Sequence, residues 1–279
     1  MLRSRGLAIP DDEQAKNFLI RNNYYRVSGY SLTLRSHDIF HKNASFQNII
    51  DIYNFDHNIR HILLQYIEII EITVKSIYSY EFTKKHGAIG YINAKNFCDS
   101  IKHQEIIEKA EKQKLTRLPH EAYLKHFVED LHQEIPLWAY VDLLTISDIS
   151  FLYSISEFDV QTAVAKTLGF EHNGAAILKR FMHSMTIIRN LCAHGSRLYN
   201  RIFEQKPWLN KKEHALLRKN KDGNIDNAHL FSFILIMRRL LKSDEFSSMI
   251  NEISILTERY PFVNMRYYGF NDDWKKILK

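Results

Sequence analysis

Hydrophobic side chains recur at three- and four-residue steps along most of this chain, the spacing of amphipathic helices. The strongest run is Ser45 to His86. There Ile49, Ile52, Tyr53, Asp56, Ile59, Ile62, Leu63, Tyr66, Ile69, Ile70, Val74 and Ile77 fall on one helical stripe. Lys84, Lys85 and His86 put cations in the last turn and Gly87 stops it, so one long helix is predicted, with room for a break near Phe55. Upstream, Pro10-Asp11-Asp12-Glu13 reads as a helix start, because acids in a first turn meet the positive end of the dipole. That helix is expected to run to Asn22. Tyr24 to Arg35 is rich in Tyr and β-branched residues around Gly29, which suggests a short strand or an irregular arm. Further helices are predicted at about 99–115, 120–134, 137–155 (with a break near Ser147) and 158–168. Another starts at Asn173 or Gly174 and runs to His194, where Gly195 ends it. After a loop containing Pro207, helices resume near 211–219, 227–242 and 244–259.

The pattern defines an all-α protein. Only 9 Gly and 5 Pro in 279 residues leave few turns, in keeping with long helices. No repeat, low-complexity tract or linker divides the chain. A single domain over 1–279 is therefore expected, with an N-terminal helical or irregular extension (1–44), a helical core (45–260) that includes additional C-terminal helices, and an irregular tail (261–279). Hydrophobic residues at 45% and charged residues at 25% are ordinary for a globular protein and exclude a mainly disordered one. No apolar run approaches the roughly 20 residues of a membrane span, and Met1–Pro10 is no signal peptide. A soluble, cytoplasmic protein is expected. Two cysteines, Cys98 and Cys192, are too few for a disulfide framework and read as reduced thiols.

Charge is unevenly placed. From Lys179 to Lys242 there are 14 Lys or Arg against four acids, within a chain whose net charge is only +6. A basic segment of this kind suits a polyanion, whether RNA, DNA or an anionic membrane surface.

Inside that segment lies Arg189-Asn190-Leu191-Cys192-Ala193-His194. Asn190 and His194 are four apart and share a helix face. Arg189 and His194 are five apart, about 140° around the axis. They converge because Arg is long and because the helix ends at Gly195, which frees the imidazole. A histidine gives and takes protons near neutrality, and an arginine grips phosphate oxygens with a planar fork. RNA carries its own nucleophile, the 2′-hydroxyl. Proton transfer plus stabilisation of charge on the phosphorane therefore needs no metal and no covalent residue. The plainer alternative is that His194 simply caps its own helix.

Arg189 to Arg201, reading R-N-L-C-A-H-G-S-R-L-Y-N-R, resembles the R-x4-H motif and downstream arm of the Abi (abortive-infection, AbiD/AbiF-like) proteins of bacteria, within the HEPN ribonuclease group. Asn23–Tyr30, Tyr53–Leu64, Pro136–Thr145 and Gly269–Trp274 are similar to other segments of that family, in the same order. The resemblance implies a HEPN-like helical bundle and an RNA-cleaving toxin of phage defence that needs no cofactor. It implies catalytic roles for His194 (proton transfer), Arg189 (phosphate) and Asn190 (orientation). It also implies a homodimer through the motif helix, an RNA substrate and a small structured RNA as restraint. Lys179, Arg180, Arg197, Arg201, Lys206, Lys211 and Lys212 are the candidate RNA contacts. One departure is Gly195, where a second His often follows the motif.

Other constellations compete. His57 and His61, an i, i+4 pair behind Asp56, have a zinc-compatible spacing but no obvious further ligands. Cys192 could be a nucleophile, although a small buried hydrophobe is the simpler reading. Glu68 and Glu71 could form a carboxylate dyad, although Lys75 makes an ion pair with Glu71 the better expectation. Tyr24, Tyr25, Arg26 and Tyr30 interleave aromatics with a cation as single-strand RNA binders do, but packing of the arm on the core is favoured. The competing functions are a non-catalytic RNA-binding module or scaffold for a small structured RNA, and an adaptor that binds a protein partner.

Overall fold

The computed structural model describes residues 2–219 and 223–278. Lys221 and Asp222 of the basic segment lie outside the described residues. The protein is all-α: thirteen α-helices and one two-stranded ribbon among the described residues. It divides into two compact units, Met1–Tyr66 with Arg189–Lys279, and Ile67–Ile188.

The first unit opens with α1 (Asp12–Asn22), whose N-cap Asp11 accepts the Gln14 N–H. Where a short strand or an irregular arm is expected, Tyr24–Arg35 is instead mostly helical: α2 (Tyr24–Ser28) followed by a 3-10 turn (Gly29–Leu34). Asn23, at φ +61°, ends α1 and caps α2 by accepting the Tyr25 N–H. Gly29 stays in the right-handed region, so the turn continues and buries Val27, Tyr30 and Leu34. Tertiary burial overrides β-propensity here. Only Arg35–Ser36 (β1) and Ile39–Phe40 (β2) pair, as an antiparallel ribbon.

Helix α3 (Phe46–His86) runs unbroken through Phe55, which is fully buried against Tyr260 and Tyr268. Its residues up to Tyr66 belong to the first unit. After α9 (Gly174–Ala193), described below, come the one-turn α10 (Lys211–His214), shorter than predicted, then α11 (Leu230–Leu240) and α12 (Ser243–Arg259). Every residue of α11 from Leu230 to Met237 is buried, the mark of a helix apolar on all sides. The segment after Pro261 is ordered by a 3-10 turn (Met265–Tyr268) and by α13 (Trp274–Ile277), with Phe270, Trp274 and Leu278 buried.

The second unit contains α4 (Ser100–Arg117), α5 (Ala122–Lys125) running into a π-helical turn, α6 (Leu137–Tyr140), α7 (Ile146–Ile155) and α8 (Phe158–Thr167). The predicted helix 137–155 breaks earlier than Ser147. Thr145 accepts the Asp148 N–H while Asp148 accepts the Thr145 N–H, and this capping box must begin a new helix. His103 hydrogen-bonds the Tyr91 carbonyl at 2.7 Å, and Tyr91 donates to the Ile135 carbonyl at 2.8 Å. The expected Glu71–Lys75 ion pair forms at 2.9 Å. Among the described residues no helix is long and apolar enough to cross a membrane.

Candidate active site

Helix α9 carries the R-x4-H motif to its end. Gly195, at φ +63°, donates to the Cys192 carbonyl (3.0 Å), and Ser196 donates to the Leu191 carbonyl (2.8 Å). These two bonds are a Schellman stop, which satisfies carbonyls that the helix leaves open. Only a residue free to adopt positive φ serves here, which is why Gly stands after the motif. A Cβ at this position would also lie 3.1 Å from Nη2 of Arg26.

Gly195 and Ser196 supply the hydrogen bonds of the cap, so the His194 ring is not needed to satisfy those carbonyls. Its side chain is exposed and makes no hydrogen bond among the described residues. Arg189 and Asn190 are half-buried one turn back, and Arg189 Nη1 reaches Asn190 Oδ1 at 3.4 Å. A second arginine stands at the same helix end. Arg26 of α2 donates to the Gly195 carbonyl and to Tyr53 Oη (3.3 Å), with its guanidinium over the Tyr53 ring.

Beneath this surface the chain after the motif is tied to a buried carboxylate. Asp56 of α3 is 0% exposed. It accepts the backbone N–H groups of Leu198 (3.2 Å) and Tyr199 (2.7 Å), the hydroxyls of Tyr30 (2.8 Å) and Tyr268 (2.9 Å), and the guanidinium of Arg60. Arg60, one turn along and 2% exposed, also reaches the Ser196 carbonyl at 3.4 Å. Burial alone would lower the Arg60 guanidinium, but the Asp56 charge, together with the Tyr30 and Tyr268 phenols, outweighs it and keeps Arg60 ionised. Burial, reinforced by the same carboxylate, pushes the Tyr30 and Tyr268 phenols above their ordinary range, so both remain donors. Four segments far apart in sequence thus meet at one side chain.

The remaining candidates separate clearly. Lys206, Lys211 and Lys212 are exposed. Arg197 and Arg201 are half-buried: Arg197 donates to the Tyr199 carbonyl (2.6 Å) and lies against Gly29, and Arg201 sits over the Phe203 ring. Lys179 and Arg180 are exposed on the part of α9 that belongs to the other unit. His57 and His61 lie exposed with ring centroids 4.4 Å apart. Partial burial, then the positive charges of His61, Arg60 and Arg26, lower the His57 pKa. Among the described residues no group of three or more His, Cys, Asp or Glu is arranged to hold a metal ion.

Cys192 is buried, and burial pushes its thiol up to about 12, which makes a nucleophilic thiolate untenable. Cys98 is exposed. Titration of the native protein with a thiol reagent is therefore expected to modify Cys98 alone, with Cys192 reacting only after denaturation.

The all-helical fold and the motif at the helix end define a class, a helical protein with Arg189, Asn190 and an exposed His194 in the last turns of one helix. The chain belongs to the Abi-like protein family, whose model matches residues 17–200, a family implicated in abortive infection, the bacterial defence against phage. No curated protein matches the chain. No solved structure matches it either. The matched span holds Tyr30, Asp56, Arg60, the motif and Tyr199; Tyr268 lies beyond it. Sequence reasoning found the motif but missed the Asp56 cage.

Proposed function

We propose that this protein is a metal-independent endoribonuclease of the HEPN type, acting as a toxin in abortive infection. The single observation that carries the reading is the exposed His194 ring, without a hydrogen-bond partner among the described residues, at the helix end where Arg26 clasps the Gly195 carbonyl, one turn on from Arg189. An imidazole placed so is open to a substrate proton.

In the reaction, the 2′-oxygen attacks the adjacent phosphorus and the bond to the 5′-oxygen breaks. One imidazole takes the 2′-hydroxyl proton and another supplies a proton to the leaving oxygen. Because each chain has one R-x4-H motif, two copies joined through the motif helix supply the two imidazoles. Arg189 holds the phosphoryl oxygens as negative charge grows on them, and Asn190 orients the pair. The products are a 2′,3′-cyclic phosphate and a 5′-hydroxyl.

The test is to incubate RNA with wild type and His194→Ala and map the new ends. Cyclic-phosphate ends with wild type alone are expected; equal decay with both proteins would reject the assignment. A second reading, a non-catalytic scaffold for a small structured RNA, draws on the exposed Lys206, Lys211 and Lys212. It predicts salt-dependent RNA binding with no new ends.

A further inference from the structure

The Tyr24–Tyr25–Arg26 stretch does not pack uniformly onto the core. Tyr30 is buried, but Tyr25 is 83% exposed and Tyr24 37%, with the two rings edge to face at 5.6 Å. Both tyrosines line a pocket of about 230 Å³ within the first unit. Arg5, Arg35, Phe40 and Phe46 form further parts of its wall. Arg5 and Arg35 both pair with the exposed Asp38, so two cations share one carboxylate and the pocket retains positive charge. Nε of Arg35 is buried without a hydrogen-bond partner, a donor that a small turn of the guanidinium would offer to an acceptor inside.

The pocket is linked to the motif through one short helix. Tyr24, Tyr25 and Ser28 of α2 line the pocket, whereas Arg26 of the same helix clasps the Gly195 carbonyl. The two sides of a helix are separated by roughly 10–12 Å, a span that a single strand of RNA crosses within a few nucleotides.

We infer that this pocket takes an unpaired nucleobase of the RNA, stacked on Tyr25 and hydrogen-bonded by Arg35, and so sets where the strand lies over His194. The inference rests on the ribonuclease reading for its substrate, but the pocket can be tested separately. Aromatic rings accept any base face, and the arginine donors suit a base with an exposed carbonyl or ring nitrogen.

The experiment uses the full chain and a short single-stranded RNA carrying 2-aminopurine, whose fluorescence falls on stacking. In the cleavage-dead His194→Ala background, binding is expected to quench the probe. Adding Tyr25→Ala is expected to abolish the quenching and weaken binding about tenfold or more, and Tyr25→Phe to restore both. Because Tyr25 is a surface side chain, Tyr25→Ala should unfold at the same urea concentration as its parent. In the cleaving background, Tyr25→Ala should raise KM more than it lowers kcat and redistribute the cut sites. Unchanged quenching and affinity in Tyr25→Ala would overturn the pocket, even if wild type cleaves RNA and His194→Ala does not. Tyr25-dependent quenching by a protein that never cleaves RNA would uphold the pocket and refute the ribonuclease.

Discussion

Replacing Asp56 with Ala is expected to lower the stability of this protein by about 3–5 kcal/mol, the largest effect of any single substitution considered for it. The size follows from what would remain. Arg60 is 2% exposed and would keep its charge with no counter-ion. The hydroxyls of Tyr30 and Tyr268 and two backbone N–H groups would lose their acceptor in a dry interior. Each buried donor left unmade costs about 1–3 kcal/mol when isolated, though neighbouring losses do not add. Asp56→Asn should fare little better, because its amide brings two more donors to a site that holds only donors. Thermal unfolding tests this: for a chain of this size the loss corresponds to a drop in Tm of about 5–9 °C. A variant melting within two or three degrees of wild type would show that the carboxylate does not hold the fold together. Exchanging Asp56 and Arg60 together for apolar residues of similar volume should recover part of the loss, as buried pairs do when both charges go.

The second large effect is on activity alone. His194→Ala should cut the rate of RNA cleavage by about 10²–10⁴-fold, the usual contribution of a positioned acid or base. Its stability should move by no more than about 0.5 kcal/mol, because the ring is exposed and Gly195 does the capping. Arg189→Lys retains the positive charge but loses the fork, and should still cost about 10²-fold in rate. Combined with His194→Ala it should cost little beyond the worse single change, since the proposed mechanism has the two act on one transition state. Single-turnover cleavage of a labelled RNA measures all three. Rates within threefold of wild type for His194→Ala would remove the imidazole from the chemistry.

Much of this was readable from residue spacing. The three- and four-residue rhythm marked α3 through its 41 residues, and Gly195 marked the end of α9, because periodicity and a positive-φ stop are local properties. Tyr24–Leu34 was not readable: its rings and β-branched residues favour a strand, and only burial of Val27, Tyr30 and Leu34 makes it helical. The cage around Asp56 was half visible. Asp56 falls on the apolar stripe of α3, where a charge is costly, and Arg60 stands one turn beyond it. That pairing signals a buried ion pair. Its other partners, Tyr30, Tyr199 and Tyr268, come from sequence distances that no local pattern spans.

The clasp on Asp56 also imposes an order in time. Tyr268 is synthesised 212 residues after the carboxylate it serves, and Leu198 and Tyr199 about two-thirds of the way along that interval. While a ribosome is still translating the stretch between, the strand following the motif has nothing complete to rest on. A nascent chain therefore holds the segment after the motif only partly fastened until translation has passed Tyr268.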